Sequence, residues 1–539
     1  MLKILKHKYL FIFISGLLFS APFIFPELNL LSFISGVPFF IILFDEIINK
    51  KKNKIIRHTF VFGMSFYLPV YVWFLRMYPM EQTGVTPFQS LLIVTAAWFG
   101  FSLLQTFVML ILPVGLKIFK NLNINNENSI KSIFFLPVLT SCLYVILEWV
   151  QSWFLSGLTW AKLSISQYKD LFFIQSISLF GTYFTSFIII FINASIAVYF
   201  LNKHKNQKNN ILILAVILLY FANSYFGYFR IMYYDYIDRT SERQQITAQI
   251  IQGNVSSYEK WEDSGGQNSL EIYSKLITQY NNENADICVL PETAIPYSIT
   301  RGSSIYNALR SLASENNITI FTGIIYYDEE TDKRYNALMA FDKNYDFVQP
   351  YGKRHLVPFG EYLPLEKIIT KYIPFVENIS LLDSVLTPGE SSDIMNINGV
   401  NYGGLICFDS IFPELARKSV QDGADILLIS TNDSWFRDST AIEQHNAQAV
   451  LRAVENNRYV IRSANTGVSS FISNTGKILQ QSDVLQREVL TGKVGIVKHK
   501  TVYTMCGDII LYLSLAFIVF CVYLGISKYI KQKLREKKS

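Results

Sequence analysis

Charge is what this chain has least of. Only 17% of its 539 residues are Asp, Glu, Lys or Arg, while 50% are hydrophobic and 15% aromatic. That balance excludes an ordinary soluble protein and points to membrane spans. Cysteine is scarce as well. Five are scattered singly with no CxxC pair, which argues against a disulfide framework. Cys142, Cys521 and Cys506 lie in or beside apolar runs, and Cys288 lies in the strand-like ADICVLPE. HxxxH, HExxH and Cys/His clusters are missing, so no metal is indicated. GxGxxG and GxxxxGK[ST] are missing, so no nucleotide and no other cofactor is indicated. No internal repeat or low-complexity segment is visible.

What charge there is falls unevenly. Residues 230–500 carry 25 Lys and Arg against 33 Asp and Glu, a net of −8. The remainder carries 23 against 9, a net of +14. An acidic polar segment with basic residues gathered around apolar runs is not the pattern of a nucleic-acid binder. Apolar runs long enough to span lie near 9–25, 29–48, 57–77, 88–116, 132–150, 171–201, 211–229 and 507–528, about eight in all. The first follows Lys3, Lys6 and Lys8 without a small-x-small site after it, so it reads as an uncleaved anchor. Lys50–Lys52, Lys54, Lys117, Lys120, Lys131, Lys203, Lys205, Lys208 and the tail KQKLREKKS all fall on one side of eight spans. The positive-inside rule makes that side cytoplasmic. Residues 1–229 then form a membrane domain and 230–505 an external domain. Residues 506–539 form a last span with a basic tail. In a bacterium the external face is periplasmic.

The external segment alternates strand-like and helical patterns. Strand-like runs fall at 246–255, 285–292, 317–327, 336–342, 402–408, 424–431 and 459–464. Helical patterns fall near 267–283, 303–315, 411–422 and 440–457. This is an α/β layered domain, long enough to bury its own core. Three stretches in it carry chemistry. In GGLICFDSIFPE, Cys407 ends an apolar strand just before a helix-like break. A lone cysteine is ordinarily a small apolar packing residue. At a strand-to-helix turn, though, backbone N–H groups favour a thiolate and a developing oxyanion. In LPETAIP, Glu292 follows Pro291 at a strand end. In YGKRHLVPFGEYLP, Lys353 opens a loop stiffened by Pro358, Gly360 and Pro364, with Glu361 eight residues on. His355 reads as a structural hydrogen-bonding residue. Glutamate, lysine and cysteine supply base, electrophile and nucleophile, the three needs of acyl transfer.

The order Glu292, Lys353, Cys407 in these surroundings resembles the nitrilase superfamily of carbon–nitrogen hydrolases. With spans before and after the domain, the chain is similar to the apolipoprotein N-acyltransferase family of the bacterial envelope. The resemblance rests on IIQGNV followed by Lys260-Trp261, on LPETAIP and HLVPFGEYLP, and on Cys407 with the following IFPE. It also rests on STNDSWF continuing to His445, on Arg452, Glu455, Arg458 and Arg462-Ser463, and on EWVQSWFLSGLTW in the membrane half. It departs at Phe408-Asp409, where the family often has Tyr-Glu, and at Gln151 and Leu158-Thr159, where Arg and Phe-Pro are common.

The resemblance implies an αββα sandwich carried by the spans, with Glu292, Lys353 and Cys407 catalytic. Glu361 and Asp409 are implied in support, and Trp261, Phe408 and Trp435 are candidates to line the substrate site. The implied partners are a phospholipid acyl donor, a diacylated apolipoprotein acceptor and the bilayer, with the protein a monomer in the bacterial inner membrane. The aromatic-rich loop 359–375 is a candidate lid. A membrane-tethered nitrilase-type amidase is the alternative. A transporter or receptor would not need these three residues and would bury charge mid-span.

Overall fold

The computed structural model describes residues 7–536 apart from 50–53, 81–83, 120–129, 154–156, 158–159, 203–209, 241–242, 257–259, 261–264, 282–284, 359, 364–370 and 372–385. Trp261 and most of the loop 359–375 lie outside the described residues. The chain divides into two compact units, one of Met1–Val72, Ala96–Phe229 and Cys506–Ser539, the other of Trp73–Thr95 and Arg230–Met505.

The first unit is helical. Among the described residues, six helices are long and apolar enough to cross a membrane: Pro26–Ile48, Pro87–Phe119, Ile133–Trp153, Thr182–Leu201, Asn210–Arg239 and Ile509–Glu536. Lys8–Ile24 and Leu171–Phe180 are shorter apolar helices. The run at 57–77 is not one span. Its helix is Ile55–Val70, with Pro69 in the last turn, and a 3-10 turn follows over Val72–Met77. The run at 171–201 is divided at Gly181, whose φ of 77° no helix accommodates. Phe39 stacks on Phe62 at 4.1 Å, and Gln151 donates to the Tyr67 hydroxyl at 2.7 Å, both contacts in the unit's buried interior.

The second unit is built on two sheets. We number its strands β1 (Gln245–Gln252), β2 (Ile287–Val289), β3 (Ile295–Ile299), β4 (Thr319–Asp328), β5 (Lys333–Phe341), β6 (Tyr351–Gly352), β7 (Met395–Ile397), β8 (Val400–Ile406), β9 (Ile426–Thr431), β10 (Tyr459–Ala464), β11 (Ser470–Ile472), β12 (Ile478–Gln481) and β13 (Glu488–Gly495). The first sheet runs β13-β1-β2-β4-β5-β6, with β3 beside β4; the second runs β12-β11-β10-β9-β8-β7. β1, β2 and β4 are parallel, as are β8, β9 and β10. Parallel strands are covered on both faces, which is why ILLIST reads as an unbroken apolar run. The core between the sheets holds Ile250, Val289, Phe321, Leu338, Tyr402, Leu428 and Ile461. A second core lies between the first sheet and the helices Gly265–Tyr280 and Ser304–Glu315, through Tyr273, Ile277, Leu309 and Ala313. Helices Pro413–Gln421 and Thr440–Asn456 pack against the second sheet. The layers are therefore helix, sheet, sheet, helix.

The segment Trp73–Thr95 groups with these sheets although apolar stretches flank it in sequence. Arg76 pairs with Asp438, Arg437 donates to the Pro79 carbonyl at 3.1 Å, and Trp73 meets the edge of Phe436 at 5.2 Å. Met80, Val85 and Val94 pack with Trp435 in one apolar cluster.

Candidate active site

Each of the three candidate catalytic side chains sits just past the end of a strand. Glu292 lies just past β2, Lys353 just past β6, and Cys407 just past β8. The carboxyl ends of parallel strands are where open α/β sheets place their sites, because the chain must leave the sheet there. The Glu292 turn approaches β4 closely. A Cβ on Gly323 would stand 2.6 Å from the Glu292 Cα, so only glycine fits. On the other sheet, a Cβ on Gly404 would stand 2.6 Å from the Tyr351 ring.

The Lys353 ammonium is 1% exposed and lies between two carboxylates. It donates to Glu292 Oε1 at 3.0 Å and to Glu361 Oε2 at 2.9 Å. Asn336 Nδ2 bridges the same carboxylates, donating to Glu292 Oε1 at 2.8 Å and Glu361 Oε1 at 2.7 Å. The Asn432 N–H reaches Glu292 Oε2 at 3.1 Å, and the Val357 N–H reaches Glu361 Oε2 at 2.7 Å. Burial works against the charge on Lys353, but Glu292 and then Glu361 outweigh it and hold its pKa well above the usual lysine range.

Cys407 turns the chain from β8 into the 3-10 helix Cys407–Ile411, with φ at +47°. A non-glycine residue held there costs about 1–3 kcal/mol, and such strain gathers at functional sites. Its side chain is partly exposed. Burial of its surroundings and then the Glu292 charge push the thiol pKa well above its ordinary value, while Lys353 and a hydrogen bond with Thr431 pull it down. The sulfur therefore rests as a thiol and must lose its proton as it attacks.

Asp409 ties two pieces of this site together. It accepts the Tyr351 hydroxyl at 2.8 Å, the His355 N–H at 2.8 Å and the Ile406 N–H at 3.1 Å. So the chain after Lys353 and the chain before Cys407 share one carboxylate. His355 uses its ring to stack on Phe412 at 4.2 Å. Phe408 is buried and meets the Phe412 edge at 5.1 Å. Trp435 is partly buried in the cluster with Met80 and Val94.

The structure thus brings Glu292, Lys353 and Glu361 into direct contact, and sets Cys407 within their field. Asn336 is not legible in the sequence: it is one polar residue in the inward register of β5, with no motif to mark it. Lys260 lies under Glu292, donating to the Thr293 hydroxyl at 2.7 Å and the Glu292 carbonyl at 3.2 Å. Burial lowers its pKa to about 7, against a smaller upward pull from Glu292. Among the described residues, no cluster of His, Cys, Asp and Glu could hold a metal.

Residues 247–498 match the carbon–nitrogen hydrolase family, and residues 15–195 match the apolipoprotein N-acyltransferase N-terminal domain. The chain is 32% identical to the apolipoprotein N-acyltransferase of Haemophilus influenzae, over 71% of this chain and 73% of that one. It is 27% identical to that of Geobacter metallireducens, over 94% and 92%. Among solved structures, Saccharomyces cerevisiae Nit3 is similar at 23% identity and a TM-score of 0.38, over 47% of this chain and 90% of that one. Fold and site define a membrane enzyme with a carbon–nitrogen hydrolase domain. More narrowly, the chain belongs to the apolipoprotein N-acyltransferase family.

Proposed function

We propose that the protein moves a fatty acyl chain from a membrane phospholipid to the N-terminal α-amine of a diacylglyceryl-cysteine apolipoprotein. Glu292 takes the Cys407 proton as the sulfur attacks the ester carbonyl carbon. The carbonyl electrons move to oxygen, where Lys353 Nζ and the Phe408 N–H stabilise the oxyanion. The intermediate collapses, the C–O bond breaks, and the departing lysophospholipid oxygen takes the proton from Glu292. A thioester remains. The lipoprotein amine then attacks it, Glu292 takes a proton from nitrogen, and the sulfur leaves to regain a proton. Glu361 and Asn336 hold Lys353 and Glu292 in register through both steps.

The observation that carries this reading is the buried Glu292–Lys353–Glu361 network beside a strained, partly exposed cysteine. The names of the relatives support the substrates. Both would keep their chains in the bilayer, since each buried CH₂ is worth about 0.8 kcal/mol and extraction of a whole chain roughly 10 kcal/mol. In this reading residues 230–505 face the periplasm from the inner membrane and the protein works as a monomer. Mass spectrometry after incubation with phospholipid alone tests it. Cys407 should carry an acyl group, and Cys407→Ala should carry none; an acyl thioester on another cysteine would overturn the assignment. Labelled phospholipid with a diacylated lipopeptide separates this from an amidase, which would release free fatty acid instead of an acylated amine.

A further inference from the structure

A second buried network lies beneath Cys407, and the acyl-transfer steps do not use it. His445 Nε2 stands 2.9 Å from Ser410 Oγ and 3.2 Å from the Cys407 carbonyl oxygen. Ser410 Oγ itself donates to that carbonyl at 2.7 Å. On the other side of the ring, Nδ1 lies 2.9 Å from Asp433 Oδ1. Asp433 accepts from Arg462 Nη2 at 2.6 Å and from the Thr431 hydroxyl at 2.8 Å. His445, Ser410, Asp433 and Arg462 are all at least 98% buried.

A cysteine, histidine and aspartate in sequence invite a reading of His445 as the base. The geometry opposes it. A carbonyl oxygen only accepts, so in its contact with the Cys407 carbonyl Nε2 can act only as the donor, and a nitrogen holding its hydrogen there takes none from sulfur.

What His445 and Ser410 both grip is the Cys407–Phe408 peptide. A trans peptide is planar, with C=O and N–H pointing to opposite sides. Two donors drawing the Cys407 oxygen into the interior therefore direct the Phe408 N–H outward. Among the described residues, that N–H meets no acceptor. It lies in the first turn of the 3-10 helix, whose leading N–H groups have no carbonyl within the helix. The same two bonds brace the left-handed Cys407 from its interior side.

We infer that His445, braced by Asp433 and Arg462 and aided by Ser410, is a positioning residue that sets the Cys407–Phe408 peptide so that the Phe408 N–H receives the developing oxyanion. This rests on the acyl-transfer reading above and adds a residue to it. The role concerns the charge that forms on substrate oxygen and leaves the thiol alone. That gives it a distinctive signature.

The test compares two reactions of Cys407 in purified full-length protein. One is single-turnover formation of the acyl thioester from phospholipid, which passes through an oxyanion. The other is alkylation by iodoacetamide, a displacement at saturated carbon that does not. His445→Ala should slow acylation roughly 100-fold or more, the cost of losing an oxyanion donor, while alkylation changes less than about threefold. His445→Gln, which restores an N–H at that reach, should recover at least about tenfold of the loss. Ser410→Ala removes the other donor with little change in volume and should show the same selective loss, which decides the matter if His445→Ala does not fold. Alkylation falling in step with acylation in the folded variants would overturn the role, as would acylation at the wild-type rate in both. Wild-type protein that alkylates but never acylates would refute the acyl-transfer reading itself.

Discussion

Among the described residues, every hydrogen-bond partner of the Glu361 carboxylate is a donor: Lys353 Nζ, Asn336 Nδ2 and the Val357 N–H. An amide in its place must turn its own NH₂ toward at least one of them. Glu361→Gln should therefore lose a charge-assisted bond worth about 1.5–3 kcal/mol and slow turnover by roughly 10- to 150-fold. The fold should survive, because Lys353 keeps Glu292. Steady-state turnover with phospholipid and lipopeptide, beside circular dichroism, checks both halves; normal turnover would remove Glu361 from the machinery. At this scale the sequence was readable where a residue interrupts its local pattern. Glu292, Lys353 and Cys407 each close a strand, and the spacing of Glu361 from Lys353 marked it too. Asn336 interrupts nothing. Its importance comes from three-dimensional pairing with two acids 44 and 25 residues away. Asp409 was expected as a supporting residue, but the bond it makes across 54 residues to the His355 N–H could not be read from spacing.

Among the elements, β4 passes close behind the Glu292 turn. The three atoms nearest a Cβ on Gly323 are all backbone, 2.6 Å away, so they cannot rotate aside. Gly323→Ala should destabilise the protein by about 1–3 kcal/mol and displace Glu292, reducing acyl-enzyme formation with it. Gly100→Ala, which meets nothing within 4 Å inside the helix Pro87–Met109, is the control and should leave the yield unchanged and the stability no lower. Thermal unfolding and thioester yield measured on the same samples give the comparison. A Gly323→Ala protein of wild-type stability and yield would show that the turn gives way freely. The parallel strands were legible because burial on both faces writes long apolar runs into them. The edge strands β12 and β13 were not, since ILQQ and EVLTGKVG mix polar and apolar residues as half-exposed strands do. β3 and β11 were missed for a different reason: five and three residues are too few to establish a period.

For the whole molecule, the basic loops fix the orientation we propose. In a Cys506→Ser background, which removes the one exposed native thiol among the described residues, Glu329→Cys lies in an exposed hairpin turn of the catalytic unit. A membrane-impermeant maleimide should label it in intact spheroplasts. Asn206→Cys, among Lys203, Lys205 and Lys208, should be labelled only after the membrane is opened. The reverse pattern would place the catalytic unit in the cytoplasm. Composition and lysine placement made the membrane half legible as a set of spans. The breaks at Val70 and Gly181 were less so, because a hydropathy window averages across a single turn of chain.

The excursion Trp73–Thr95 bears on how this enzyme can be cut. A gene fragment opening at residue 230 looks self-sufficient on paper, yet it would omit the strap that covers Trp435 and neutralises Asp438. The orphaned surface is greasy and one arginine short, and it adjoins Asp433. Such a fragment should come out of the cell clumped, and a fusion that reattaches those twenty-three residues should stay in solution.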